Sequence, residues 1–135
     1  MIGQTIFAVS VSDNKPILTG ELFDIENGIF NLVAIDGFRL AVRTEKLNTE
    51  DRHHFVVKAK ALSEVSKLLK DDGDDPVNMY LSRKHIVFDI NGYMVISRLL
   101  EGEFHNYKGS IPQNHSTEIV LNTKALIASL ERCSL

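Results

Sequence analysis

Residues 30–43 read FNLVAIDGFRLAVR, and residues 86–98 read IVFDINGYMVISR. In each stretch an apolar segment runs into Asp-Gly or Asn-Gly, an aromatic residue follows, and a second apolar segment ends in arginine. Alignment of the two glycines gives the matched pairs Gly37 and Gly92, Ile35 and Ile90, Phe38 and Tyr93, Leu40 and Val95, and Arg43 and Arg98. Such internal similarity predicts a structural unit that occurs twice in the chain.

The flanking sequence extends each copy into a helix followed by several strands. Asn27-Gly28 favours a two-residue hairpin turn, and Asp36-Gly37 predicts the next hairpin. Asn122 is suited to cap the last helix. The predicted strands are 17–25, 29–35, 38–44, 54–58, 77–82, 85–90, 93–100 and 117–121, and the predicted helices are 2–11, 60–70 and 123–133. The chain is therefore expected to be an α+β protein built from duplicated helix-plus-antiparallel-sheet units.

The second predicted helix is amphipathic. Its apolar side carries Leu62, Val65, Leu68 and Leu69, and its polar side carries Lys60, Ser63, Lys67 and Lys70. The acidic stretch 71–75 and Pro76 are expected to end it, as Ser12, Asp13, Asn14 and Pro16 end the first helix. From the residues alone, three lysines on one helix are most simply a solvated face.

Composition excludes several classes of function. The chain has 135 residues, a formal net charge of −3 and a single cysteine, Cys133. This charge predicts no general affinity for polyanions, so that any DNA contact needs a local basic stripe. One cysteine excludes an internal disulfide, fits the reducing cytosol and makes a cytoplasmic location the expectation.

The sequence contains no convincing catalytic or metal-binding motif. Asp36 lies in a predicted hairpin turn, where backbone geometry alone favours Asp-Gly. The pair His53-His54 lacks the spacing of a zinc site, and the acidic stretch 71–75 lacks the pattern of a calcium loop. Intrinsic catalysis, a metal site and a cofactor are therefore not expected.

The third helix begins like the second. Lys124, Ala125 and Leu126 repeat the order of Lys60, Ala61 and Leu62. This similarity suggests that a third copy begins near the end of the sequence and that the first copy lacks its leading strand. We therefore expect a piece of a longer protein, with a complete domain that has ragged ends as the alternative.

Two separated motifs resemble one family. VAIDGFRLAVR at Val33–Arg43 and SRLLEGEFHNYKGSIP at Ser97–Pro112 are similar to the middle domain of the bacterial DNA polymerase III beta subunit, the replicative sliding clamp. The resemblance implies the DNA clamp fold, in which duplicated units are related by a pseudo-twofold axis. It also implies that residues 1–115 are a middle domain without its first strand, and that residues 116–135 are the first strand and helix of the following domain.

The resemblance further implies a function and a set of partners. A sliding clamp is a non-catalytic processivity factor, a ring-shaped homodimer that encircles double-stranded DNA without reading its sequence. Polymerase, clamp loader and repair proteins dock on it through short peptides, and neither a cofactor nor a membrane is involved. The alternative function is a duplicated α+β protein-interaction module that has no role on DNA.

The resemblance assigns two groups of residues. Cationic side chains of the second and third helices would face DNA, and these are Lys60, Lys67, Lys70, Lys124 and Arg132. A partner-peptide cleft would be formed by Lys15, Leu18, Ile35, Gly37, Phe38, Arg39, Leu40, His105, Gly109 and Ser110. Simple core packing is the alternative for Leu18, Ile35 and Leu40. The sequence departs from the family's common pattern at Ile35, Phe38, His105, Asn106, Gly109 and Ser110, which leaves the preferred peptide open.

Overall fold

The computed structural model describes residues 1–12, 14–69 and 76–134. Seven strands form one antiparallel sheet in the order β3-β2-β1-β4-β7-β6-β5. The strands are β1 (Gly20–Glu26), β2 (Ile29–Ile35), β3 (Leu40–Lys46), β4 (His53–Lys58), β5 (Asn78–Leu81), β6 (His85–Ile90) and β7 (Tyr93–Leu100). The α-helices are α1 (Ala59–Leu68), α2 (Tyr107–Ser110) and α3 (Thr123–Cys133), and 3₁₀ turns cover Ile2–Gln4, Ile6–Ala8 and Pro16–Thr19.

The duplication is visible in the strand topology. Strands β1, β2 and β3 form one antiparallel meander, and β5, β6 and β7 form a second. Asn27-Gly28 and Asn91-Gly92 make the two-residue turns, with positive φ at all four residues. The predicted α+β class with duplicated antiparallel units is confirmed by this topology.

The two copies differ at the turn that defines the repeat. Four residues, 36–39, separate β2 from β3, whereas two residues separate β6 from β7. Across these turns Ile35 pairs with Leu40, but Ile90 pairs with Tyr93. The alignment of Leu40 with Val95 and of Arg43 with Arg98 is therefore wrong in register, because the first turn contains two more residues.

The two meanders are joined through the middle of the sheet. Strand β4 pairs along its length with β1, and with β7 only at Val56 opposite Leu100 and Val57 opposite Leu99. Gly20 allows β1 to lie close to β4, since an added Cβ would be only 2.4 Å from the carbonyl oxygen of Val57. A larger residue at position 20 would push β1 and β4 apart.

The sheet has apolar side chains on both faces. On one face Phe23, Leu32 and Phe88 pack with Leu62 and Val65 of α1. A second cluster consists of Leu22, Val33, Ile35, Val56, Phe104 and Tyr107, with Ile17, Leu18, Leu40 and Leu100 packed against it. Because Leu22 and Phe23 are adjacent in β1, the two clusters lie on opposite faces of that strand. The central strands are thus covered by α1 on one side and by the segment that contains α2 on the other.

Both ends of the chain differ from the prediction. Residues 2–11 form two 3₁₀ turns rather than one helix, because Thr5 departs from helical geometry and its hydroxyl donates to the carbonyls of Met1 and Ile2. Residues 117–121 form no strand, and Ile119, Val120 and Leu121 are exposed. A strand needs a hydrogen-bonding neighbour, and this segment has none within the described residues. The third helix begins as predicted, where Asn122 accepts a hydrogen bond from the Ala125 amide at 3.1 Å.

Two further features follow from the described residues. None of their helices is long and apolar enough to cross a membrane. In the same residues no group of three or more histidine, cysteine, aspartate or glutamate side chains could hold a metal ion. The acidic stretch 71–75, Asp13 and Lys70 were assigned roles from the sequence but lie outside the described residues.

Candidate functional site

A cleft of about 760 Å³ lies on the sheet face opposite α1. The 3₁₀ turn at Pro16–Thr19 forms one wall, the β2–β3 turn forms another, and the loop after β7 forms the far wall. Nine of the ten residues predicted for the cleft line it, namely Lys15, Leu18, Ile35, Gly37, Phe38, Arg39, Leu40, His105 and Ser110. The tenth, Gly109, lies on α2 but does not line it.

Apolar side chains at the base of the cleft also belong to the core. Ile35 is buried, and Leu18 and Leu40 are half-buried against the same apolar cluster. These three residues therefore pack in the core and also line the cleft, so that the two interpretations do not exclude each other. One consequence is that substitution of Leu40 changes both stability and the cleft, whereas substitution of a rim residue changes the cleft alone.

Phe38 is the most exposed apolar residue on the rim. Its relative exposure is 101%, so that the whole ring is in contact with solvent. The loop that presents it is held by Asp36, whose Oδ1 accepts hydrogen bonds from the Phe38 amide at 2.9 Å and from the Arg39 amide at 3.1 Å. Gly37 has a φ of +96°, and an added Cβ would meet nothing within 4 Å, so this position needs glycine for its conformation rather than for space.

Asp36 is an anchor of the loop. The backbone amide of Phe38, followed by the amide and side chain of Arg39, holds the pKa of Asp36 below its ordinary value. Arg39 Nε lies 3.0 Å from Asp36 Oδ2, and the Arg39 guanidinium also lies over the ring of Phe7. Asp36 is therefore an ionised carboxylate that accepts three hydrogen bonds, all of them from residues of its own turn.

The far wall is tied to the sheet by a network of hydrogen bonds around Asp24, of which the bond to Tyr107 is buried. The Tyr107 hydroxyl donates to Asp24 Oδ2 at 2.7 Å, Lys108 Nζ lies 3.1 Å from the same oxygen, and His54 Nδ1 lies 3.3 Å from Asp24 Oδ1. Burial alone would raise the pKa of Asp24, but these three partners outweigh burial and lower it. Burial, followed by the hydrogen bond to Asp24, raises the pKa of Tyr107. The network joins α2 to β1 and β4.

The network fixes the far wall of the cleft through α2. His105 lies two residues before Tyr107, and Ser110 lies three residues after it. His105 Nε2 and Ser110 Oγ are 3.0 Å apart, so these two polar side chains are paired across the turn. The far wall is thus a small closed unit whose position relative to Leu18 and Phe38 depends on the contact between Tyr107 and Asp24.

Five residues of the cleft were not predicted. They are Pro16, Ile17, Glu101, Gly102 and Glu103. Sequence offered a signal for the last three, because they stand between Leu100 and Phe104 within the same motif that supplied His105 and Ser110. The carboxylates of Glu101 and Glu103 place negative charge at one end of an otherwise apolar and cationic cleft.

The residues predicted to face DNA divide into two groups. Lys60 and Lys67 are exposed on the polar side of α1, and they lie seven residues apart, which is about two helical turns. Lys67 is paired with Glu64 at 2.8 Å, so part of its charge is neutralised. Lys124 and Arg132 are exposed on α3, which contains no buried residue. Lys70 lies outside the described residues.

Known proteins resemble this chain along its whole length. A family described as DNA polymerase III beta subunit, central domain, matches residues 1–106. The "Beta sliding clamp" of Bacillus subtilis is 39% identical over 137 residues, which covers 100% of this chain and 36% of that protein. The relative from Halalkalibacterium halodurans is 35% identical and also covers 100% of this chain and 36% of its own length.

Solved structures agree with the sequence matches. The DNA polymerase sliding clamp from Bacillus subtilis superposes with a TM-score of 0.93 at 37% identity, covering 99% of this chain and 36% of that one. A sliding clamp from Pseudomonas aeruginosa bound to griselimycin gives a TM-score of 0.80 at 30% identity, covering 86% of this chain and 32% of that one. The chain thus spans about a third of the length of these relatives, and it belongs to the family of the DNA polymerase III beta subunit, whose central domain it matches over residues 1–106.

Proposed function

We propose that this chain is a segment of a sliding clamp, a DNA polymerase processivity factor that encircles duplex DNA and holds other proteins on it. Residues 1–115 would form its middle domain, and residues 116–135 would begin the following domain. The family match to residues 1–106 and the absence of any buried residue in α3 support this division. Coverage of 36% of the Bacillus subtilis protein agrees with a segment of a three-domain subunit.

Partner proteins would insert a short apolar peptide segment into the cleft. The cleft supports this proposal most directly, since it combines a volume of about 760 Å³ with an apolar base and the fully exposed ring of Phe38. Exposed aromatic residues at the rim of a pocket are typical of binding sites. The relative from Pseudomonas aeruginosa that binds griselimycin adds support, because it shows that a member of the family accommodates a ligand.

DNA would contact the other side of the sheet. Lys60 and Lys67 project from the polar face of α1, and α1 packs on the sheet face opposite the cleft. Exposed cations attract phosphate without reading bases, which is the interaction that sliding requires. Lys70, Lys124 and Arg132 would add to the same attraction, and the net charge of −3 on the chain would keep DNA away from the remaining surface.

The proposed role is mechanical and requires no catalytic group. Two copies of the full subunit would close into a ring in the cytoplasm, where polymerase, clamp loader and repair proteins would exchange on the cleft. In this arrangement the sheet separates the two activities, with DNA on the helix side and partner peptides on the other side.

A fluorescence polarisation titration tests the proposed peptide site. The probe is a fluorescein-labelled synthetic peptide with a Leu-Phe anchor, and the same peptide without the label is the competitor. We expect Phe38→Ala to weaken binding of the peptide by about ten- to a hundredfold, since full burial of a large apolar side chain is worth roughly 1.5–3 kcal/mol. Tyr80→Ala is the matched control, because Tyr80 is also an exposed aromatic residue but lies on β5 and does not line the cleft. Equal dissociation constants for wild type and Phe38→Ala would contradict the site.

A further inference from the structure

A second and smaller cleft adjoins the one described above. It has a volume of about 350 Å³ and lies between the beginning of β4 and the β5–β6 turn. The chain leaves β7 after Leu100, so that the first residues of β4 have a partner strand only in β1. Glu101 and Gly102 line both clefts and form their common wall. We call the second one the basic cleft.

The lining of the basic cleft carries an excess of positive charge. Arg52, Arg83 and Lys84 line it together with His53 and His54. These residues come from two separate elements, the beginning of β4 and the β5–β6 turn, so that the cluster is produced by the fold and not by one run of sequence.

Some of this charge is already neutralised. Arg52 Nε lies 3.4 Å from Glu26 Oε1, and His54 contacts Asp24. Glu101, a carboxylate of the common wall, is paired with Arg98 at 3.2 Å.

Arg83 and Lys84 remain available for a ligand. Both side chains are exposed, and no ion pair joins either of them to another residue within the described part of the chain. Two adjacent cations without an ion-pair partner, in the connection between β5 and β6 and beside a small cleft, match the charge of carboxylate groups.

The position of the basic cleft favours a peptide over duplex DNA. Strand β4 runs from His53 to Lys58, and α1 begins at Ala59. The beginning of β4 is therefore about 20 Å from the start of α1, at roughly 3.3 Å per residue. The lysines on the polar face of α1 and the basic cleft thus form separate cationic surfaces, whereas the basic cleft and the peptide cleft share a wall.

We propose that the basic cleft binds acidic side chains that flank the apolar anchor of a peptide seated in the main cleft. This inference rests on the proposed function, because it requires a peptide in the main cleft. Arg83 and Lys84 are then specificity-determining residues, and they select partners with glutamate or aspartate beside the anchor. Exposed ion pairs contribute modestly and are weakened by salt, so the basic cleft tunes the choice among partners while the apolar cleft supplies most of the affinity.

The test compares four labelled peptides. All contain a Leu-Phe anchor, and each carries three glutamates or three glutamines either before or after it. For one of the two placements we expect the glutamate peptide to bind about three- to tenfold more tightly than the glutamine peptide at low salt, with the difference reduced at high salt. The double variant Arg83→Gln with Lys84→Gln is expected to abolish this difference and to leave the affinity for the glutamine peptide unchanged.

A matched variant controls for net charge. Arg43→Gln with Lys46→Gln also removes one arginine and one lysine, but from the edge strand β3, outside both clefts. It is expected to preserve the preference for glutamate.

The outcomes separate this inference from the proposed function. Equal binding of glutamate and glutamine peptides would overturn the basic cleft as an acid-binding site while leaving the peptide cleft intact. Failure of every peptide to bind would overturn both. If the Arg83 and Lys84 variant instead weakened binding of a DNA duplex and kept the preference for glutamate, the basic cleft would be a DNA contact and the proposal would be wrong.

Discussion

Glu21 is a charged residue in an apolar position. Its relative exposure is 0%, and neither carboxylate oxygen has a hydrogen-bond partner among the described residues. Burial raises the pKa of Glu21 to about 7, and the nearby Thr5 hydroxyl and the N-terminal ammonium group offset this only in part. Strand β1 is buried on both faces. A polar residue in this strand therefore does not mark an exposed face, and the sequence did not predict that Glu21 is buried.

The raised pKa of Glu21 makes folding stability depend on pH. The folded state keeps the proton up to about pH 7, whereas the unfolded state releases it near the ordinary glutamate pKa of 4.5. Between these values the folded state binds more protons, so the free energy of unfolding falls as pH rises, by at most about 3 kcal/mol. We expect Glu21→Gln, which never ionises, to remove this decline. Urea unfolding of wild type and Glu21→Gln at pH 5.5 and pH 8 measures the change in the free energy of unfolding between these pH values.

An exposed glutamate provides the comparison for this experiment. Glu118 lies in the irregular segment before α3. Glu118→Gln is expected to keep the wild-type dependence of the urea midpoint on pH. If Glu21→Gln and wild type changed in parallel between the two pH values, Glu21 would not be the group responsible.

At the scale of elements, local backbone chemistry explains which predictions were accurate. The hairpin predicted at Asn27-Gly28 is confirmed, and Asn91-Gly92 makes the same two-residue turn between the strands predicted at 85–90 and 93–100, because Asn and Gly tolerate the positive φ values that this turn requires. The predicted helix 60–70 is seen as α1, Ala59–Leu68, because its apolar stripe has a sheet to pack on. The strand predicted at 117–121 failed because strand formation depends on a neighbour, which a single segment of sequence does not specify.

The cleft could be predicted only in part for a related reason. Motifs identified the residues of the β2–β3 turn and of the loop after β7, since these are contiguous in sequence. The contact that holds the far wall is different, because Asp24 and Tyr107 are 83 residues apart. No pattern in the sequence predicts a contact between these two residues, and only the fold brings them together.

The hydrogen bond between Tyr107 and Asp24 is expected to position α2 as one wall of the cleft. Tyr107→Phe removes a buried hydroxyl that donates at 2.7 Å and leaves Asp24 with Lys108 and His54. We expect the free energy of unfolding to fall by about 1.5–3 kcal/mol, as is usual for loss of a hydrogen bond to a charged group. The affinity for the Leu-Phe peptide should fall as well, because His105 and Ser110 lose their fixed position.

A second tyrosine separates the effect of position from the effect of a missing hydroxyl. Tyr80 is exposed on β5, outside the cleft, and Tyr80→Phe removes the same group. It should alter neither the urea midpoint nor the peptide affinity. Tyr107→Phe with unchanged stability and unchanged affinity would mean that α2 is held by apolar packing alone.

At the scale of the whole molecule, the sheet divides two chemically different surfaces. The side of α1 carries exposed lysines, and the opposite side carries an apolar cleft with a basic extension. Composition alone could not indicate this division, because a net charge of −3 averages over both surfaces. The family resemblance assigned different residues to the two surfaces, and the core explains the division physically, since α1 packs on one face of β1 and the segment that contains α2 packs on the other.

Binding of duplex DNA tests the cationic surface and separates a clamp from an interaction module without a role on DNA. We expect this chain to bind a DNA duplex weakly, with an affinity that decreases steeply as salt increases. Lys60→Gln with Lys67→Gln should reduce the slope of log affinity against log salt by about 2, because each lost phosphate contact contributes roughly 0.9. The Arg43→Gln and Lys46→Gln variant changes the net charge equally and should retain more of the slope. A slope that falls equally in both variants would mean that DNA responds to overall charge, and the polar face of α1 would lose its proposed role.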